Sequence, residues 1–225
     1  MKYKTLGIIT MVDLISISTW LVLMVMMTTT YGELDTFEKA LDFASQRNWL
    51  LYTLNYANAV IFTILNTMVF AGLFAVLRND FPLWAVIGFV FLPVYAFLAL
   101  FSYLSQLVIV PRLIEMITIP EYQGAASVGL YHLIQNWTGS TLGYIDQFSY
   151  FILGIPSLIF GVALYRGGKN FKLAGLLLAF SGVSCLLIGP GVIFDLPALI
   201  SAPSMLGGIL SMLAFIPLSL GLLRG

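Results

Sequence analysis

Long apolar stretches alternate with short polar segments along the 225-residue chain. A membrane-spanning helix needs about 20 mainly apolar residues, and six stretches are of about this length or longer. They cover residues 5–29, 49–77, 83–110, 140–165, 171–189 and 203–223. The pattern therefore predicts an all-α integral membrane protein, in which residues 1–225 form a single domain with a bundle of six transmembrane helices.

Two of the connections between these stretches are longer and have a helical pattern of their own. The first reads "YGELDTFEKALDFASQRN", with apolar residues at Leu34, Phe37, Leu41 and Phe43. The second reads "EYQGAASVGLYHLIQNWTGS", with apolar residues at Val128, Tyr131, Leu133 and Trp137. Near-helical spacing of apolar residues in a polar segment predicts short amphipathic helices that lie on a membrane surface.

The basic residues predict the orientation, because cytoplasmic loops of membrane proteins are enriched in lysine and arginine. With the N-terminus in the cytoplasm, seven basic residues fall inside: Lys2, Lys4, Arg78, Arg166, Lys169, Lys172 and Arg224. Three fall outside: Lys39, Arg47 and Arg112. We therefore expect both termini to be cytoplasmic, the amphipathic segments to lie on the outer side, and the protein to reside in a cell membrane.

Composition narrows the function classes further. Hydrophobic residues make up 60% of the chain and charged residues 9%, whereas about a quarter of a soluble domain is charged. Ten basic and ten acidic residues balance, so no polycationic face is available for nucleic acid. With one cysteine and one histidine, the chain has no internal disulfide and no multi-cysteine or multi-histidine metal centre, and we expect no cofactor.

The stretch "GIITMVDLISISTW", residues 7–20, contains an aspartate among aliphatic residues. Asp13 lies nine residues past Lys4, which corresponds to a depth of roughly 13 Å in a helix. A charged group at membrane depth costs at least about 2.5–3.5 kcal/mol and usually faces the bundle interior or a water-filled cavity. By depth, the polar residues closest to it are Asn66, Thr67 and Tyr95. Asp13 is therefore a titratable proton or ligand site, or it makes a hydrogen bond between helices, or the helix lies less deep and its polar start reaches the cytoplasmic interface.

A second set of polar residues is predicted near the outer face. Its members are Asn55, Asn58, Gln106, Tyr144, Asp146 and Gln147. Buried polar groups need partners, and two arrangements supply them: an outward-facing pocket lined by amides and aromatic rings, or hydrogen bonds that join the helices. Arg112 is placed to form a gate or an ion pair at the mouth of such a pocket, with Asp146 or with Glu115.

Small residues and prolines within the apolar stretches make predictions about packing. "GLLLA" at 175–179 and "GGILS" at 207–211 place small residues four apart, a spacing that lets helix backbones approach closely. We expect these positions to pack within the bundle, the alternative being a dimer interface. Pro93, Pro156 and Pro217 are candidates for helix kinks.

"YLSQLVIVP" at 103–111 and "LGYIDQFSYFILGIPSLIFGVALYR" at 142–166 resemble small multi-pass membrane proteins of bacteria and archaea that carry no established activity. This resemblance covers the second half of the chain and implies no particular substrate. The size, six spans and cytoplasmic termini also resemble the architecture of substrate-binding subunits of vitamin-uptake transporters, which is an analogy of architecture alone.

Three hypotheses about function follow. The first is a protein that binds a small apolar or amphipathic molecule or a lipid, as a carrier or a substrate-binding subunit, with Asp13 as a proton-linked switch. The second is a non-catalytic structural subunit, whose partners are membrane lipids, a second copy or a larger membrane complex. The third is an intramembrane enzyme that uses a carboxylate as acid or base, and it ranks last because Asp13 and Asp146 are expected near opposite faces of the membrane.

Overall fold

The structure is a computed structural model that describes residues 3–32, 34–45, 49–135, 137, 139–168 and 171–224, without the side chains of Tyr31 and Trp49. Lys2, Arg47 and Lys169, three of the ten basic residues behind the predicted orientation, lie outside the described residues.

Helices account for the regular structure in the described part of the chain. They are α1 (Lys4–Tyr31), α2 (Phe37–Ser45), α3 (Trp49–Leu77), α4 (Pro82–Val90), α5 (Leu92–Met116), α6 (Gln123–Leu133), α7 (Thr141–Gly167), α8 (Lys172–Leu186), α9 (Ile188–Ile193) and α10 (Pro197–Arg224). Six segments are long and apolar enough to cross a membrane: Lys4–Thr30, Leu50–Leu77, Pro82–Met116, Thr141–Gly167, Lys172–Ile193 and Pro197–Arg224. The predictions of an all-α protein and of six such segments are confirmed, whereas the orientation stays a prediction.

Two of the six apolar segments are interrupted close to a proline. The third is divided at Phe91, two residues before Pro93, and the fifth at Leu187, three residues before Pro190. Proline has no N–H for the helical hydrogen-bond ladder and disfavours helical geometry in the residue before it. Pro156 and Pro217 lie inside the continuous helices α7 and α10. The apolar segment is thus divided beside Pro93, whereas α7 and α10 continue through Pro156 and Pro217, where a kink stays a prediction.

The chain divides into two compact units, each assembled from separate stretches of sequence. Unit 1 comprises Met1–Ile17, Phe62–Phe97 and Gln147–Gly225, and unit 2 comprises Ser18–Ile61 and Leu98–Asp146. The helices α1, α3, α5 and α7 each contribute residues to both units.

Unit 1 is packed through glycines that bring helix backbones together. A Cβ added to Gly161 of α7 would lie 2.8 Å from the carbonyl oxygen of Gly175 on α8, and one added to Gly182 would lie 2.8 Å from the carbonyl oxygen of Gly154. On α10, a Cβ at Gly207 would lie 2.6 Å from Sγ of Cys185. Gly175 and Ala179 of the first small-residue motif and Gly207 of the second therefore pack within the protein, whereas nothing lies within 4 Å of a Cβ added to Gly208.

Serines of α8 add hydrogen bonds between α8 and α10. The Ser181 hydroxyl of α8 donates to the carbonyl of Gly207 at 2.7 Å, and that of Ser184 donates to the carbonyl of Pro203 at 2.8 Å. Both acceptors belong to α10. These bonds satisfy hydroxyl groups that would be costly to bury without a partner.

Unit 2 contains α2 and α6, the two short helices that lie outside the six long apolar segments. Ala40 of α2, Leu130 of α6, Val110 of α5 and Ile134 form a buried apolar cluster. Phe37 extends it, with its ring 5.3 Å from that of Tyr131 and 5.8 Å from that of Trp137. The apolar face of α2 therefore packs on other protein segments. Contact of α2 with the membrane surface and its placement on the outer side stay predictions.

Candidate functional site

Gln106 of α5 is the centre of a hydrogen-bonded set in unit 2. Its Oε1 accepts a bond from the Tyr52 hydroxyl at 3.0 Å and one from the backbone N–H of Gln135 at 3.3 Å. Its Nε2 donates to the backbone carbonyl of Leu133 at 2.7 Å. One side chain thus joins α3, α5 and the end of α6, and all three elements meet at its amide.

Gln135 connects this amide to a buried carboxylate. The side chains of Tyr103 and Gln135 donate hydrogen bonds to Asp146. Asp146 is buried near the start of α7. The two predicted site residues Gln106 and Asp146 are therefore brought into one network, in which Gln135 contacts both.

Aromatic rings flank the network along α3. The ring of Tyr52 lies 5.5 Å from that of Phe43 and 4.7 Å, edge to face, from that of Tyr56. Tyr56 in turn lies 6.5 Å from Tyr103. Edge-to-face and tilted rings at these separations attract one another, so the polar groups of the tyrosines are held in fixed positions.

A cavity of about 180 Å³ borders this network within unit 2. Its lining is mixed, with apolar residues from α2 and α5 and polar side chains from α3 and α5. The lining residues are Phe43, Ala44, Tyr52, Thr53, Gln106, Leu107, Val110, Pro111, Ile114 and Glu115. The arrangement suits a compact molecule that is mainly apolar and carries one polar group.

The six residues predicted to line a pocket are not all placed together. Gln106 lines the cavity, and Asp146 belongs to the network beside it. Asn55 is buried in unit 2, and its Oδ1 has no hydrogen-bond partner among the described residues. Asn58 and Tyr144 are partly buried and each has an interaction in the structure, while Gln147 belongs to unit 1. Their roles in ligand binding stay predictions.

The predicted gate residues lie on the exposed side of α5. Arg112 and Glu115 are both exposed, and in the described part of the chain neither takes part in an ion pair. Glu115 lines the cavity, whereas Arg112 does not. The structure therefore places one of the two at the cavity, and a gating role stays a prediction.

Two residues of the site were missed by sequence reasoning. Tyr52 was interpreted only as part of an apolar membrane-spanning stretch, and Gln135 only as part of an amphipathic connecting segment. For Tyr52, the signal was its position three residues before Asn55, on the polar side of α3. For Gln135 no pattern was available, because it lies past the end of α6 and reaches its partners through tertiary contacts.

Asp13 lies in unit 1, apart in sequence from the residues of the network. It is fully buried, and neither of its carboxyl oxygens has a hydrogen-bond partner among the described residues. The hydroxyl of Thr10, one turn earlier, donates to the backbone carbonyl of Leu6 at 2.8 Å. The carboxyl group thus receives no bond from the nearest polar group on its own face.

Groups of three or more histidine, cysteine, aspartate or glutamate side chains placed to hold a metal ion are absent from the described residues. The polar chemistry of unit 2 is instead supplied by amides, phenols and single carboxylates. These groups recognise hydrogen-bonding ligands.

Comparison of the chain with known proteins found no matching family model, no matching curated protein and no matching solved structure.

Proposed function

We propose that the protein binds a small amphipathic molecule in the cavity of unit 2, on the outer side of a cell membrane, as a carrier-like protein or a substrate-binding subunit. The observation that carries this proposal is the cavity itself, where apolar walls meet the ordered Tyr52–Gln106 pair. Ligand sites are typically apolar with a few well-placed polar groups.

The lining specifies the chemistry of the ligand. Phe43, Leu107 and Val110 supply apolar contact area. The Tyr52 hydroxyl donates its hydrogen bond to Oε1 of Gln106, so the hydroxyl oxygen can still accept a hydrogen bond from a ligand. Glu115, exposed at the edge of the cavity, adds a second acceptor. The preferred ligand therefore has an apolar body and a donor group, such as a hydroxyl or an amine.

The volume of the cavity indicates how much of a ligand it can enclose. A buried apolar cavity of about 150 Å³ accommodates benzene, and drug-sized ligands occupy about 300–1,000 Å³. At about 180 Å³, the cavity fits a single-ring molecule or part of a lipid chain. A complete phospholipid would bind only by inserting one segment.

One observation favours the alternative of a structural subunit. The amide of Gln106 makes three hydrogen bonds that join separate elements of unit 2. A side chain engaged in this way stabilises the fold without any ligand. In this alternative the network joins helices, and the exposed apolar surfaces contact lipids or partner proteins.

Native mass spectrometry of the protein purified in a mild detergent separates the two proposals. We expect the wild-type chain to retain one defined small mass. Ala44→Leu places a larger side chain in the cavity lining and should abolish the retained mass. Ala125→Leu is the matched control, since Ala125 is exposed on α6 and does not line the cavity.

Loss of the small mass in Ala44→Leu with retention in Ala125→Leu would support binding in the cavity. A wild-type chain that carries no small mass, or equal retention by both variants, would contradict it. A chain that aggregates alone but purifies in fixed ratio with another polypeptide would instead support the structural subunit.

A further inference from the structure

A groove of about 620 Å³ lies between α1 and α3 in unit 1. The two helices touch at Leu6 and Gly72, because a Cβ added to Gly72 would overlap the Leu6 side chain. Beside this contact, small residues on one face of α3 leave space that larger side chains would fill. The apolar lining consists of Leu6, Ile9, Met68, Ala71, Gly72 and Ala75.

The groove extends from the ends of two apolar segments towards their middle. Its apolar lining lies inside Lys4–Thr30 and Leu50–Leu77. Met68 lies ten residues before Arg78, or roughly 15 Å along the helix axis, which is about half of the roughly 30 Å hydrocarbon core of a bilayer. At this depth the surrounding molecules are lipid chains. The polar lining lies at the segment ends and consists of Tyr3, Thr5, Arg78 and Asn79.

Basic residues outnumber acidic ones at this end of unit 1. The start of α1 lies beside the end of α10, since a Cβ added to Gly7 would lie 2.9 Å from Leu223. The end of α7 lies beside the turn after α3, since a Cβ added to Gly167 would lie 3.5 Å from the Phe81 ring. Among the described residues, these helix ends carry Lys4, Arg78, Arg166, Lys172 and Arg224, with Asp80 as their one acidic residue.

Two of these cations have aromatic partners away from the groove. The guanidinium of Arg166 lies 5.6 Å from the centre of the Trp84 ring, and the ammonium of Lys172 lies 5.9 Å from that of Tyr165. Arg78 is exposed, lines the groove and takes part in no ion pair among the described residues. Its guanidinium is therefore placed to bind an anion at the polar end of the groove.

We propose that the groove binds an anionic phospholipid, with one acyl chain along α3 and the headgroup phosphate against Arg78. A guanidinium can donate two parallel hydrogen bonds to one phosphate, and the amide of Asn79 adds a donor beside it. Basic pockets between transmembrane helices are typical sites for anionic headgroups. The acyl chain supplies the dispersion contacts that the small side chains of Ala71 and Ala75 leave unmade.

This lipid site is separate from the cavity of the proposed function. The residues that line the groove belong to unit 1, whereas those that line the cavity belong to unit 2. Lipid binding in the groove therefore does not depend on whether the cavity binds a small molecule.

Native mass spectrometry of the delipidated full chain, titrated with defined lipids in detergent, tests the headgroup. We expect phosphatidylglycerol to bind about tenfold more tightly than phosphatidylcholine with the same acyl chains, because choline places a cation among basic residues. Arg78→Gln should abolish this preference. Arg166→Gln is the matched control, because it removes the same charge from the same end but does not line the groove, and it should retain the preference.

A wild-type chain without this preference would overturn the proposal. An equal loss of the preference in Arg78→Gln and Arg166→Gln would also overturn it, since the basic end as a whole would then attract the lipid and Arg78 would not hold the phosphate. Both arginines are exposed, so the two variants are expected to fold.

The position of the acyl chain is tested by filling the groove. Ala75→Leu places a larger side chain at an exposed position of the lining and should abolish binding of both lipids at concentrations that saturate the wild type. Ala44→Leu makes the same change in the lining of the unit 2 cavity and should leave lipid binding unchanged. Equal binding by the wild type and Ala75→Leu, or a loss confined to Ala44→Leu, would overturn the proposal.

Discussion

The two compact units are stabilised by different interactions. Unit 1 relies on close backbone contacts at glycines such as Gly161 and Gly182, where even a methyl group has no space. Unit 2 relies on side chains, with Gln106 joining three elements and aromatic rings packed around it. Both solutions suit helices surrounded by lipid, because close packing and interhelical hydrogen bonds replace the hydrophobic driving force available in water.

The same difference extends to the buried aspartates. Asp146 in unit 2 receives hydrogen bonds from Tyr103 and Gln135. Asp13 in unit 1 receives none among the described residues. The two aspartates, each in a long apolar helix, thus differ in the number of their partners, although Oδ1 of Asp146 also has no partner among the described residues. The comparison shows that hydrogen-bond donors surround the carboxyl group of Asp146 in unit 2, whereas the carboxyl group of Asp13 in unit 1 has none among the described residues.

Among the variants that test this difference between the units, Gly161→Ala is expected to lower the free energy of unfolding most. The new methyl group would lie 2.8 Å from the Gly175 carbonyl oxygen and meet the backbone at Ala179, which cannot move as a side chain does. We expect the free energy of unfolding to fall by about 3 kcal/mol, measured by detergent-induced unfolding.

Gly208→Ala is its control, because nothing lies within 4 Å of a Cβ added there. It should leave the stability unchanged or raise it by less than about 1 kcal/mol. Equal losses in the two variants would contradict close backbone contact as the main interaction of unit 1.

Gln106→Leu tests unit 2 in the same assay. The change leaves the Tyr52 hydroxyl, the Leu133 carbonyl and the Gln135 N–H without their present partner. Buried groups left unsatisfied cost about 1–3 kcal/mol, and we expect a loss of about 2–3 kcal/mol.

The exposed Gln123 of α6 provides a matched substitution, Gln123→Leu, with no expected loss. Should Gln106→Leu be as stable as this control, the network would not be a main source of stability in unit 2.

The smallest effect is expected at the surface of unit 2. Lys39 donates to the Asp35 carboxylate at 2.7 Å, one turn earlier, and this hydrogen bond lowers the pKa of Asp35 below its ordinary value. Because the folded-state pKa is lowered, the contribution of the pair is present above the pKa of the unfolded chain and is lost as the pH falls through the folded-state pKa.

Lys39→Met should return the pKa of Asp35 towards its ordinary value, measured by NMR titration of the labelled carboxyl carbon. Exposed ion pairs contribute little, so no measurable change in stability is expected. Lys4→Met, at an exposed lysine outside this pair, should leave the pKa of Asp35 where it is. A pKa of Asp35 that stays low in Lys39→Met would assign its shift to another group.

The sequence by itself determined the helical class, the six apolar segments, the position of the two short helices and the packing role of Gly175 and Gly207. These properties are local, because they follow from runs of apolar residues and from spacing along one helix. The three prolines were readable as candidates for kinks, since a proline lacks the N–H that a helix requires, but the division of one segment beside Pro93 came from the structure.

Only the tertiary structure decided which polar residues meet. Asn55, Gln106 and Asp146 are polar residues with similar apolar flanks, but their partners differ. Gln106 makes three hydrogen bonds, and Asp146 receives bonds from two side chains, whereas Oδ1 of Asn55 and Oδ1 of Asp146 have no partner among the described residues. The choice depends on helix rotation and register, which distant residues such as Gly72 and Gln135 set by contact. A residue's partner is a property of the packed chain, and no single stretch of the sequence contains it.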